Sequence, residues 1–103
     1  MTQLNRFLRE AVVTIVHQIG DDQLERIASE LDCLGNPRLL VRRLTHHTVL
    51  IQGIPVTAGS PHDADAVTWE ILYEHVRDAL RATEDQSTRI ASIDVRESDS
   101  LLI

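Results

Sequence analysis

Ser60-Pro61-His62-Asp63 is the segment that most constrains this chain. Ser60 can accept a hydrogen bond from a helix's first turn, proline suits the first helical position, and Asp63 suits the positive end of the dipole. The spacing predicts a long helix from Pro61 to about Ala82. Val67, Trp69, Ile71, Leu72, Val76, Ala79 and Leu80 give it a broad apolar face, flanked by Tyr73. Glu70, Glu74 and Asp78 line the wet side with Arg77 and Arg81, in pairs of mixed sign at helical spacing.

Upstream, Leu4, Phe7, Leu8, Ala11, Val12, Ile15, Val16 and Ile19 recur at i, i+3 and i+4. That period predicts a first helix over 3–19, closed by Gly20. The β-branched run Val12–Val16 pulls locally toward strand. Asp22 and Glu25 can form a capping box for a second helix, with Leu24, Ile27, Ala28, Leu31 and Leu34 as its apolar face and Gly35 as its stop. Asn36-Pro37 then suits the start of a third, carrying Leu39, Leu40, Val41 and Leu44. Next, His47–Gln52 and Gly53–Thr57 read as two short strands with a bend at Gly53 and Pro55 at an edge. A hairpin turning near Gln52-Gly53 is the variant of that reading. In 88–96, Ala91, Ile93 and Val95 alternate with Ser92, Asp94 and Arg96, as in a half-buried strand. The expected architecture is one α+β domain over 1–103: three short N-terminal helices, a small β segment, the long helix and a C-terminal strand (α-α-α-β(β)-α-β). If 48–52 pairs with 89–95, the long helix crosses over their sheet.

Composition narrows the chemistry. All ten basic residues are arginines, so lysine Schiff-base and lysine general-base chemistry are excluded. The formal net charge of −6 falls entirely in residues 51–103, while 1–50 balance six arginines against six acids. Cys33 is the single cysteine, which rules out a disulfide scaffold and Cys-rich zinc modules. No run is long and apolar enough for a membrane span and no signal peptide is evident, so a cytoplasmic protein is expected.

Motifs for nucleotide, phosphate and serine-nucleophile chemistry are absent, and no cofactor is expected. His46, His47 and His62, with Asp63 and Asp65, offer metal-ligand types. Adjacent residues on a strand point to opposite faces, however, which sets His46 and His47 apart. Cys33 could pair with a histidine as a nucleophile, but its place beside Leu34 at a helix end suits a buried structural thiol. Arg38, Arg42 and Arg43 form the basic cluster. On an acidic chain without accompanying base-reading side chains, they fit a protein-facing surface better than a nucleic-acid reader. The chain closes on Leu101-Leu102-Ile103, which can fold back as an edge strand or dock on a partner.

These observations point to a non-enzymatic protein-interaction or assembly domain that associates with itself as a homodimer. Arg38, Arg42, Arg43, Glu70, Glu74, Asp78, Leu101, Leu102 and Ile103 are its candidate partner-binding residues, with neither nucleic acid nor membrane as partner. The alternative is an acidic inhibitor or immunity-type protein that meets a basic partner through its acid-rich surface, Glu84 and Asp85 included. A third reading is a metal-dependent enzyme using His46, His47 and His62.

Overall fold

The computed structural model describes residues 4–82 and 89–97. It contains strand β1 (Asn5–Ile15), helix α1 (Asp21–Leu31), a turn of 3-10 helix (Asp32–Leu34), strands β2 (Leu40–Arg43) and β3 (Thr48–Ala58), helix α2 (Pro61–Ala82) and strand β4 (Ile90–Glu97). The sheet order is β2-β3-β1-β4, and every neighbouring pair is antiparallel. Hence β1 runs parallel to β2 with β3 between them, and β3 runs parallel to β4 with β1 between them. These are two interleaved split β-α-β units, the connectivity of the ferredoxin-like class. The α+β class is as expected, but the predicted element order is overturned at three places.

First, the segment expected to be a helix over 3–19 carries the strand β1, Asn5–Ile15, instead. Arg9, Ala11, Val13 and Ile15 are buried, one residue in two, and face the helices. The β-branched run decides the local conformation, because its side chains within β1 find cross-strand partners, among them Val12 opposite Leu50 and Val13 opposite Val49.

Second, the segment expected to be a third helix is a loop followed by β2. Asn36 does not cap a helix. Its Oδ1 accepts from the Arg38 N–H at 3.1 Å and its Nδ2 donates to the Gly53 carbonyl at 2.6 Å. That second bond clips the loop to the middle of β3. Third, β3 is one strand of eleven residues. The backbone bends at Gly53 but does not turn, and the hairpin lies instead at Leu44–His47, where the Leu44 N–H reaches the Thr48 carbonyl at 2.9 Å. Nor do β3 and β4 pair, since β1 lies between them.

The bend is a bulge. The β1 register runs Arg9 opposite Ile54, then Ala11 opposite Ile51, so the extra residue falls at Gln52-Gly53. Gly53 has φ +81°, and a Cβ there would stand 3.2 Å from Asn36 Nδ2 and 3.3 Å from the Arg38 carbonyl. The bulge keeps Val49, Ile51, Ile54, Val56 and Ala58 all buried against the helices. Because β2 pairs only with 49–52, no strand pairs with the outer side of β3 from Gly53 onward among the described residues. The Gly53 carbonyl points to that side, toward Asn36, and in extended backbone the nitrogen two residues on points the same way. Pro55, which has no N–H to offer, therefore sits at an edge.

The long helix forms as its start signal requires. Ser60 Oγ accepts the Asp63 N–H at 3.1 Å. Ala64, Thr68, Leu72, Val76, Ala79 and Leu80 are its buried residues, and Trp69 and Tyr73 lie outside the core. Helix α1 also forms, but it starts at Gly20, where Gln23 Oε1 rather than Glu25 reaches back to the Gly20 N–H at 3.0 Å. Gly35, with φ +79°, ends the turn that follows, as expected. The two helices pack on each other and on one face of the sheet. A buried guanidinium ties the layers: Arg9 of β1 is 4% exposed and donates from Nε to Asp65 Oδ1 in the first turns of α2 at 2.7 Å. No helix among the described residues is long and apolar enough to cross a membrane.

Candidate functional site

With both helices on one side, the opposite face of the sheet is left open by the described residues. Strand alternation decides what it carries. Arg6, Leu8, Glu10, Val12 and Thr14 of β1 point there, opposite Thr57, Pro55, Leu50 and Thr48 of β3. β2 adds Leu40 and Arg42, and β4 adds Ser92, Asp94 and Arg96. One row crosses all four strands in register: Arg42 lies opposite Leu50, Leu50 opposite Val12, and Val12 opposite Asp94. A cation, two aliphatics and an anion thus run in line from the β2 edge to the β4 edge, with Leu50 largely covered by its neighbours at 8% exposed and Val12 half-buried. Leu40, 58% exposed, and the Leu8–Pro55 pair extend the apolar surface.

At the β2 corner the face deepens into a cleft of about 570 Å³. Phe7, Leu8, Leu40 and Pro55 supply its apolar lining, and Gln52 and Gly53 of β3 also line it. The clipped loop contributes Gly35, Asn36 and Arg38, and β1 contributes Arg6. Neither Arg6 nor Arg38 forms an ion pair among the described residues, and no carboxylate lines the cleft. Asn36 is already committed to the Gly53 carbonyl and the Arg38 N–H, which fixes the loop that presents Arg38.

The structure divides the predicted basic cluster. Arg38 lines the cleft and Arg42 stands on the open face. Arg43 points to the helix side, where Nη2 donates to the Ile19 carbonyl at 2.7 Å and to Asp21 Oδ1 at 3.1 Å. On a helix, Arg38 and Arg42 would share a face; on loop and strand they do not. Glu70, Glu74 and Asp78 are exposed along α2, on the far side of the molecule from the open sheet face. Beside them Trp69 and Tyr73 stack with centroids 5.2 Å apart, and the Arg77 guanidinium lies 5.5 Å from the Tyr73 ring centre. Leu101, Leu102 and Ile103 lie outside the described residues, as do Glu84 and Asp85.

The histidines do not converge. His46 and His47 are exposed in the β2–β3 turn, where their carbonyls accept from Ile19 and Ile15, and His62 is exposed at the start of α2. Among the described residues, no three His, Cys, Asp or Glu side chains group as metal ligands would. Cys33, expected to be buried, is exposed; its Sγ donates to the Glu30 carbonyl at 3.1 Å and lies 3.8 Å from His75 Nε2. Arg6, Leu8, Val12, Leu50, Gln52 and Asp94 were not among the predicted site residues. For Arg6, Leu8 and Val12 the signal is the second period-2 face of β1, hidden under a helical reading. Comparison with models of known families, with curated proteins and with solved structures finds no match to this chain.

Proposed function

We propose that this protein is a non-enzymatic assembly module that pairs with a second copy of itself through the open sheet face. The row Arg42–Leu50–Val12–Asp94 carries this reading. A two-fold axis parallel to the strands, lying between two stacked sheets, sets the β2 edge of one copy over the β4 edge of the other. Arg42 then meets the partner's Asp94, and Leu50 meets the partner's Val12. The row is complementary to its own reverse, which is the requirement of an isologous interface. Sheets stacked face to face lie about 10 Å apart, within reach of an arginine side chain. The single thiol accords with a reducing, cytoplasmic setting.

Light scattering coupled to size exclusion tests the proposal. A dimer at tens of micromolar is expected. Arg42→Asp should shift it toward monomer, and Arg42→Asp with Asp94→Arg should restore it. A monomeric wild-type protein, or a dimer indifferent to both substitutions, would overturn the reading.

One observation favours a second reading, an acidic surface for a basic protein. Glu70 and Glu74 stand exposed beside the Trp69–Tyr73 stack. Binding to such a partner would be salt-sensitive and would quench Trp69 fluorescence.

A further inference from the structure

We infer that the corner cleft is a binding site for a small organic anion with an aliphatic body, such as a medium-chain carboxylate. Its volume of about 570 Å³ lies within the range of small-molecule sites. Its walls divide by chemistry: Leu8, Leu40 and Pro55 offer apolar surface, while Arg6 and Arg38 bring two permanent positive charges without a carboxylate among the lining residues. In a chain of net charge −6, this is a local reversal of sign. A guanidinium presents a planar fork suited to a carboxylate or phosphate, and it cannot be neutralised at any physiological pH. The cleft is also built and not improvised. Gly53 takes a left-handed conformation, the Asn36 amide bonds its carbonyl, and the Arg38 backbone is held by the same side chain. Arg38 and Arg6 line this one cleft together with Leu8, Leu40 and Pro55. An apolar chain on Leu8, Leu40 and Pro55, with its head between the two arginines, satisfies both halves of the site. The cleft is lined by residues of one chain, and Leu8, Leu40 and Pro55 also lie on the face proposed to pair, so a bound anion and a second copy compete for that corner.

Calorimetric titration of the full chain with octanoate tests it, with octyl phosphate, acetate and octyltrimethylammonium as comparison arms, all below their micelle-forming concentrations. Octanoate or octyl phosphate should bind, and the stronger of the two identifies the head group. Acetate and the cationic amphiphile should bind at least tenfold more weakly. Arg6→Gln with Arg38→Gln should weaken binding at least tenfold while leaving the melting temperature of the unliganded protein unchanged, because both side chains are exposed and unpaired among the described residues. Amide shifts on titration should centre on Gly53, Asn36 and Leu40. No binding of either anion, binding insensitive to the double substitution, or shifts centred on Trp69 would each overturn the inference.

Discussion

Removing Asp65 should cost more than removing the arginine it serves. Arg9 is 5% exposed at its side chain, and its Nε–H has one short acceptor, Asp65 Oδ1 at 2.7 Å. The other contacts are weaker: Nη1 to the Leu8 carbonyl at 3.3 Å and Nη2 to the Pro61 carbonyl at 3.4 Å, with the Phe7 ring centre 5.1 Å away. In Asp65→Ala the guanidinium stays buried and loses its counter-ion. A hydrogen bond to a charged group contributes roughly 1.5–3 kcal/mol, and stranding one member of a fully sealed pair costs about 3–5 kcal/mol. Asp65 is itself 48% exposed, so water can enter where the carboxylate stood. That places the expected loss near the lower figures, about 2 kcal/mol, or roughly 8–16 °C in melting temperature for a domain of this size. Arg9→Met removes the buried charge while keeping most of the stem's packing, and leaves Asp65 to solvent. It should cost less than about 1 kcal/mol. Asp65→Asn, which keeps an acceptor without the charge, should fall between. Urea unfolding of the three variants at constant m checks the order. If Arg9→Met proves as damaging as Asp65→Ala, the argument that the stranded charge sets the cost is wrong.

Other substitutions test separate parts of the fold. Gly53→Ala should destabilise by about 2 kcal/mol, since φ +81° is strained for alanine and the new methyl crowds Asn36 Nδ2; the denaturation midpoint reads this. Ser60→Ala removes the cap on Asp63 and should cost about 1 kcal/mol by the same measurement. Leu72→Ala, in a fully buried position of α2, should cost roughly 2–5 kcal/mol and lower the melting temperature accordingly. Thr68→Val should change stability by less than about 1 kcal/mol, because the Ala64 carbonyl that Thr68 Oγ1 reaches at 2.7 Å keeps its helical backbone donor.

The parts of this fold that the sequence exposes are those governed by local rules. Ser60-Pro61 announces α2 because a cap and a proline act within one turn. The alternation of Ile93 and Val95 with Asp94 and Arg96 gives β4 its period. β1 misleads for a tertiary reason. One of its faces is core and the other is the open sheet surface, and both carry aliphatics: Ala11, Val13 and Ile15 on one, Leu8 and Val12 on the other. Two period-2 stripes, one interrupted by the buried Arg9, together fill the i, i+3, i+4 positions of a helix. The third expected helix fails through Asn36. Its cap-like position is real, but its side chain is spent on a carbonyl seventeen residues away, a partner no local pattern announces. The cleft was illegible for the same reason. Arg6 and Arg38 line one cleft only because β1 and the loop before β2 flank the same half of β3.

The half of β3 without a β2 partner also bears on how copies of this chain can join. A strand arriving along that side would meet the Gly53 carbonyl already occupied by Asn36 and, two residues on, a proline nitrogen with no hydrogen. The rung that would seed lateral growth at this point cannot form. Edge-to-edge stacking into an open-ended fibre is blocked along that stretch, whereas the proposed two-fold contact through the face is consumed once it is made.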